Sequence, residues 1–233
     1  WVQRRPEPAT SSAGHRAGQL RAGVARRDVT DRNAGPVNDP LYVKALVLSD
    51  GAVTVAVVTV DAVALAEIGP VPGDFLPQVR RRLQRRLGLA PDRILINASH
   101  CHGQVCPRIA ALTVAAVEEA WHNLVPVTAG TGVGHEDRIA ENRRLRLADG
   151  TEADVRRAYP LAPDEQLAAV GPIDPEIGIL RLDRLDGRPL AVVYNFACHP
   201  IQGVPGGGNT ADLVGFASRA IEAGCGEGAT ALF

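Results

Sequence analysis

The chain has 233 residues, enough for one large buried core and short of the roughly 250–300 residues at which single cores give way to several. Its 45% hydrophobic and 22% charged content is that of a globular chain, and no apolar run approaches the roughly 20 residues a transmembrane segment needs. A formal net charge of −1 provides no global attraction for nucleic acid or an anionic membrane.

Residues 1–19 are rich in Pro, Ser, Gly and Arg without periodicity and read as an irregular leader, with the folded domain expected over 20–233. The chain holds no methionine and opens at Trp1, which reads as a start downstream of the translational one. Apolar, β-branched runs at 41–48 and 53–60 flank Ser49-Asp50-Gly51-Ala52 and predict a hairpin whose second strand is buried. Over 74–87, Phe75, Val79, Leu83 and Leu87 recur at i+4 and the run stops at Gly88, which predicts an amphipathic helix. Its other face carries Arg80, Arg81, Arg82, Arg85 and Arg86. No aromatic platform or binding motif accompanies them, and cations late in a helix suit its dipole, so they read as a solvated face and not as a nucleic-acid surface.

A buried strand is expected over 93–98 and a packed helix over 109–124. Gly130–Gly134 reads as a glycine-rich turn. Strands are expected over 143–147, 178–183 and 190–197, the last two joined by an Asp186-Gly187 turn, followed by a helix over 212–223. Residues 229–233 open another strand, and the chain is expected to be incomplete at its C-terminus. Strands and helices interleave with two hairpins among them. The expected fold class is therefore α/β, a mixed parallel/antiparallel sheet flanked by helices.

Chemistry enters where polar residues interrupt apolar strands. The run 53–60 ends in Asp61, the run 94–98 leads into Ser99-His100-Cys101-His102, and the run 190–197 leads into Cys198-His199-Pro200. If those ends share one edge of the sheet, a carboxylate and three imidazoles converge there. Extended geometry would put His100 and His102 on one face. Both can then ligate one metal, or one can ligate while the other handles protons or substrate; hydrogen-bonded histidines at strand ends are the alternative. Cys101, Cys106 and Cys198 read as small apolar residues. A phosphate loop and a G-x-S-x-G elbow are both absent, and Gly206-Gly207-Gly208 reads as a flexible loop near a ligand site. His15, His122 and His135 read as structural.

In order, these segments resemble the neutral/alkaline, non-lysosomal ceramidase family. Ala22 to Thr30 is similar to its opening strand, and Asp39-Pro40-Leu41-Tyr42-Val43-Lys44-Ala45 and Val58-Thr59-Val60-Asp61 to the next two. Ile96-Asn97-Ala98-Ser99-His100-Cys101-His102 resembles its S/T-H-T-H-S-G-P motif, and Glu141-Asn142-Arg143-Arg144 its Asn-Arg motif. Asn195-Phe196-Ala197-Cys198-His199-Pro200 resembles its second histidine motif, and Ala211 to Ala217 the helix that follows. The resemblance implies a ceramidase-like fold and hydrolysis of an N-acyl amide, of ceramide or a related lipid-like substrate, through zinc-activated water. It makes His100 and His199 zinc ligands, His102 and Arg143 catalytic, and Asp61, Asp28 and Asp212 supporting residues, with Asp61 orienting a ligating imidazole. It also implies that a glutamate and a tyrosine ligand lie beyond residue 233, and a secreted or periplasmic location. Cys101 stands in place of the family's Thr, and Gly103-Gln104-Val105 in place of Ser-Gly-Pro, which alters the substrate wall. The alternative is a catalytically incomplete or non-enzymatic member that binds metal or ligand without turnover.

Overall fold

The computed structural model describes residues 18–154, 166–201, 208–226 and 228–233. Most of the expected leader, His15 included, lies outside the described residues, as do Gly206 and Gly207. In chain order the strands are β1 (Arg21–Asp28), β2 (Tyr42–Ser49), β3 (Thr54–Val60), β4 (Ile94–Ala98), β5 (Val125–His135), β6 (Arg144–Leu147), β7 (Glu152–Asp154), β8 (Leu167–Val170), β9 (Glu176–Arg184), β10 (Pro189–Phe196) and β11 (Thr230–Leu232). The helices are α1 (Phe75–Leu87), α2 (Ile109–His122) and α3 (Asp212–Cys225).

Among the described residues, eight strands form one sheet in the order β11-β10-β9-β5-β1-β2-β3-β4, and β7-β6-β8 form a second. The β3–β4 and β10–β11 pairs are parallel and the rest of the large sheet is antiparallel, which is the mixed sheet expected. The hairpin at 49–54, the glycine stop at Gly88 in left-handed conformation, and the β9–β10 hairpin all form where the sequence places them.

Period-two alternation in β2 and β3 assigns their two faces. Val43, Ala45, Val47, Ala56, Val58 and Val60 point into a core closed by Phe75, Val79 and Leu83 of α1 and Ile109, Val114 and Val117 of α2. The opposite face, with Leu46, Leu48 and Val57, packs on Leu182, Leu190, Ala191 and Leu232 from β9, β10 and β11. The sheet therefore curls until its β9–β11 end covers its own β2–β3 region. Gly23 in β1 permits the close approach of α2, since a Cβ there would collide with the carbonyl oxygen of Ala120.

Polar bonds fasten the curl. The buried Lys44 ammonium donates to Glu222 Oε1 of α3 and to the Ala231 carbonyl of β11, both at 2.9 Å. Thr59 Oγ1 and Asn97 Nδ2 donate to the Phe233 carbonyl at 2.7 and 2.8 Å.

One expectation fails. Gly130–Gly134 is no turn but the middle of β5, paired with β9 from Val127 to His135. Its side chains are mostly exposed, so no apolar alternation marks it, and backbone pairing alone makes the strand. His135 ends β5, exposed, beside Asp137 at 3.4 Å. His122 closes α2 with Nδ1 2.6 Å from the Glu118 carbonyl.

Removing Lys44 strands Glu222 and a strand carbonyl, and breaking a mostly buried ion pair costs about 3–5 kcal/mol. Lys44→Met is expected to lose that order of stability in urea denaturation. Arg26→Ala, which breaks the exposed contact of the same glutamate at 3.3 Å, is expected to lose about 0–1 kcal/mol.

Candidate metal centre

The parallel register Val60↔Ala98 ends β3 and β4 at the same level, so Asp61 and Ser99 emerge side by side. Ser99 Oγ donates to Asp61 Oδ1 at 3.0 Å, and the Tyr42 N–H donates to Asp61 Oδ2 at 2.8 Å. The backbone then turns sharply: His100 has φ 63, in the left-handed region that side chains rarely adopt, and its N–H is held by the Ala62 carbonyl at 3.0 Å. The extended geometry expected for His100-x-His102 is absent, yet the two imidazoles still meet, with ring centroids 5.5 Å apart.

His199 arrives from the end of β10, carried to the same place by the curl of the sheet. Its ring lies 4.9 Å from that of His100 and 5.8 Å from that of His102. Ligand atoms of the three, all exposed, lie within 4.8 Å of one another. The three imidazoles thus converge as the strand ends suggested, and Arg143 lines the same open cleft of about 690 Å³ with Val63, Ile68, Asn142 and Arg144.

Two features make the imidazoles suitable metal donors. His100 Nδ1 lies 2.7 Å from the Val63 carbonyl, which can only accept, so Nδ1 carries the proton and Nε2 is left with its lone pair. Burial, reinforced by the neighbouring His100, Arg143 and His102, holds His199 below the ordinary histidine range although Asp212 opposes the shift. A neutral imidazole is the ligating form.

Of the three carboxylates, only Asp61 bonds differently from the expectation. Asp61 bonds Tyr42 and Ser99, and the partner that orients His100 is the Val63 carbonyl, which nothing in the sequence marks. Asp212, also at positive φ (51), accepts the His102 N–H on Oδ2 at 2.9 Å and so fixes the backbone of the loop. Asp28 bonds the Thr30 N–H and pairs with Arg32 at 2.6 Å. Thr30 in turn bridges Val105, so Asp28 supports the histidine loop at two removes. Asp39, for which no site role is expected, gathers Thr210 Oγ1, the Ala211 N–H, Asn38 and Arg219 at the start of α3. Burial pushes its carboxyl up, but those bonds outweigh burial and hold it below the ordinary range. Cys101 is fully buried, and burial pushes its thiol up to about 12, which makes it inert.

Burial raises Asp61 to about 6 against the opposing Tyr42 hydrogen bond, Lys44 and Ser99. A carboxyl whose folded pKa lies above its unfolded value holds its proton longer in the folded state, so stability falls as pH rises from about 4 to about 6 and is flat beyond. Asp61→Asn can keep both contacts, its carbonyl accepting from Tyr42 and its amide donating to Ser99. That variant is expected to lose this pH dependence in denaturation curves, and Asp61→Ala to lose about 1–3 kcal/mol at every pH for the orphaned Tyr42 N–H.

No protein-family model matches the chain, and no curated protein matches it in sequence. Solved structures do match in fold. A ceramidase complexed with C2 is similar at TM-score 0.70 with 17% identity, over 92% of this chain and 37% of that one. The neutral ceramidase from Pseudomonas aeruginosa is similar at TM-score 0.70 with 18% identity, over 93% of this chain and 38% of that one. The chain thus spans less than two fifths of those structures, and over that span it has the fold of the neutral ceramidases.

Proposed function

We propose that this chain carries part or all of a zinc-dependent amidohydrolase acting on an N-acyl amide, with His100 and His199 as metal ligands. The observation that carries this reading is the meeting of His100, His102 and His199, ligand atoms within 4.8 Å, at an open cleft. The donor set fits zinc: nitrogen ligands, one oriented by a backbone carbonyl and one held neutral. The similar structures are ceramidases, enzymes that by name cleave the amide of ceramide, which favours a ceramide-like or other N-acyl lipid as substrate.

Zinc, when bound, supplies Lewis acidity, polarising the amide carbonyl and bringing the pKa of water near 7. The remaining work belongs to the chain. His102, anchored through its backbone by Asp212, is placed to take a proton from the attacking water and return it to the leaving amine. Arg143 provides a permanent positive charge for the oxyanion. Val63 and Ile68 offer apolar surface to the acyl portion.

A second reading, a metal- or ligand-binding protein without turnover, draws on the same histidine cluster and cleft. Zinc analysis and an amide-hydrolysis assay on the same samples separate the two. One zinc per chain is expected, lost in His100→Ala and in His199→Ala; zinc held equally by all three proteins sinks the metal assignment. His102→Ala is expected to keep zinc and lose about 10²-fold or more in hydrolysis, and Arg143→Ala about 10²–10³-fold. Zinc bound with no hydrolysis selects the second reading.

A further inference from the structure

The lining of the cleft has a charge pattern that cleavage of a neutral amide leaves unused. Apart from the three histidines it consists of Val63, Ile68, Asn142, Arg143 and Arg144, with no carboxylate among the described residues. Other exposed arginines are neutralised locally: Arg138 pairs with Glu136, Arg181 with Asp183, and Arg188 with Asp186. No such partner is found for Arg143 or Arg144 among the described residues. Arg144 also borders the neighbouring hollow that Glu152 lines, without an ion pair to it.

The backbone that carries Arg144 is held in place. Asn142 Oδ1 accepts the Arg144 N–H at 2.9 Å, and Asn142 Nδ2 donates to the Pro172 carbonyl at 2.6 Å. The Gly171 N–H donates to the Arg144 carbonyl at 3.0 Å. Gly171 admits this clamp because a Cβ there would sit 2.7 Å from the Asn142 amide. Arg144 lines the cleft from that fixed backbone, and its planar guanidinium fork matches a carboxylate.

We propose that the substrate of this cleft carries a carboxylate on the amine side of its scissile amide, received by Arg144, so that the substrate class is N-acyl amino acids. This inference rests on the amidohydrolase reading above. Water adds across the amide: its oxygen bonds to the acyl carbon, the C–N bond breaks, and a proton passes to the nitrogen. The products are a fatty carboxylate and a free amino acid. The apolar acyl chain lies against Val63 and Ile68, the latter 65% exposed and uncovered by the protein itself.

Calorimetry with N-octanoylglycinate and the neutral N-octanoylethanolamine tests it, on the whole chain with and without zinc. The glycinate is expected to bind about tenfold more tightly, the order that a charge-assisted hydrogen bond supplies. That preference should persist without zinc, which separates binding by Arg144 from direct ligation of a metal. It should disappear in Arg144→Gln and survive in Arg144→Lys; circular dichroism of both variants verifies the fold. Equal binding of the two probes, binding of neither, or a preference present only with zinc or untouched in Arg144→Gln overturns the proposal. Failure of the amidohydrolase reading registers separately, as glycinate bound with the stated preference and no release of glycine by the zinc-loaded protein.

Discussion

Everything at the histidine cluster depends on the β10–β11 end of the sheet lying across β2, β3 and β4. In the order of strands, β10 and β4 stand near opposite ends, so a flat sheet would keep His199 far from His100. Apolar packing of Leu46 and Val57 on Leu190 and Leu232 drives the curl, but apolar contact alone tolerates slippage. Lys44 removes that tolerance. A buried ammonium must be paired, and one position of β11 offers both the Ala231 carbonyl and Glu222, whose Oε1 also accepts the Ala231 N–H at 3.0 Å. Register is thereby fixed by a polar requirement set inside an apolar interface.

Strain is concentrated where this fixed frame ends. Three non-glycine residues adopt positive φ among the described residues, and two of them, His100 and Asp212, belong to the cluster. Each such residue costs of order 1–3 kcal/mol and persists only where its surroundings over-determine it. The carboxylates supply that determination. Asp61 ties the β3 end to Ser99 just before His100, Asp212 ties α3 to His102, and Asp39 ties α3 back to the start of β2. Asp61 bonds Tyr42 and Ser99, Asp39 bonds Thr210 and Ala211, and Asp212 holds the His102 N–H, so these carboxylates shape the backbone that carries the rings.

This division explains what was legible in the sequence. The hairpin, both early helices, the β9–β10 pair and the convergence of His100, His102 and His199 were readable because each rests on apolar pattern or on a polar residue that interrupts it. The conformation at His100 was not, because two histidines separated by one residue carry no mark of a left-handed turn held by the Ala62 and Val63 carbonyls. β5 was misread as a turn because its glycines and exposed side chains follow neither period, while its hydrogen bonds to β9 depend on no side chain. β7 and β8 failed for a related reason. They are short strands, and the described side chains of β8 are largely exposed. The family resemblance gave Asp61 the task of orienting an imidazole, a task that a backbone carbonyl performs, and carbonyls are invisible to motif reading.

The electrostatics of the cleft then follow from the frame. Burial, His100 and Arg143 lower the proton affinity of His199, so a proton competes less with a metal for that nitrogen. Neutral imidazoles, however, leave the full charge of a divalent ion uncompensated, and Arg143 and Arg144 add two further positive charges to the same cleft. Such a concentration of one sign is costly unless an anion enters it. Asp212, which acts on His199 and holds the His102 backbone, offsets part of that charge from the protein side. The rest falls to whatever binds, and a cleft whose fixed charges among the described lining residues are all positive favours a ligand that brings negative charge to the arginines.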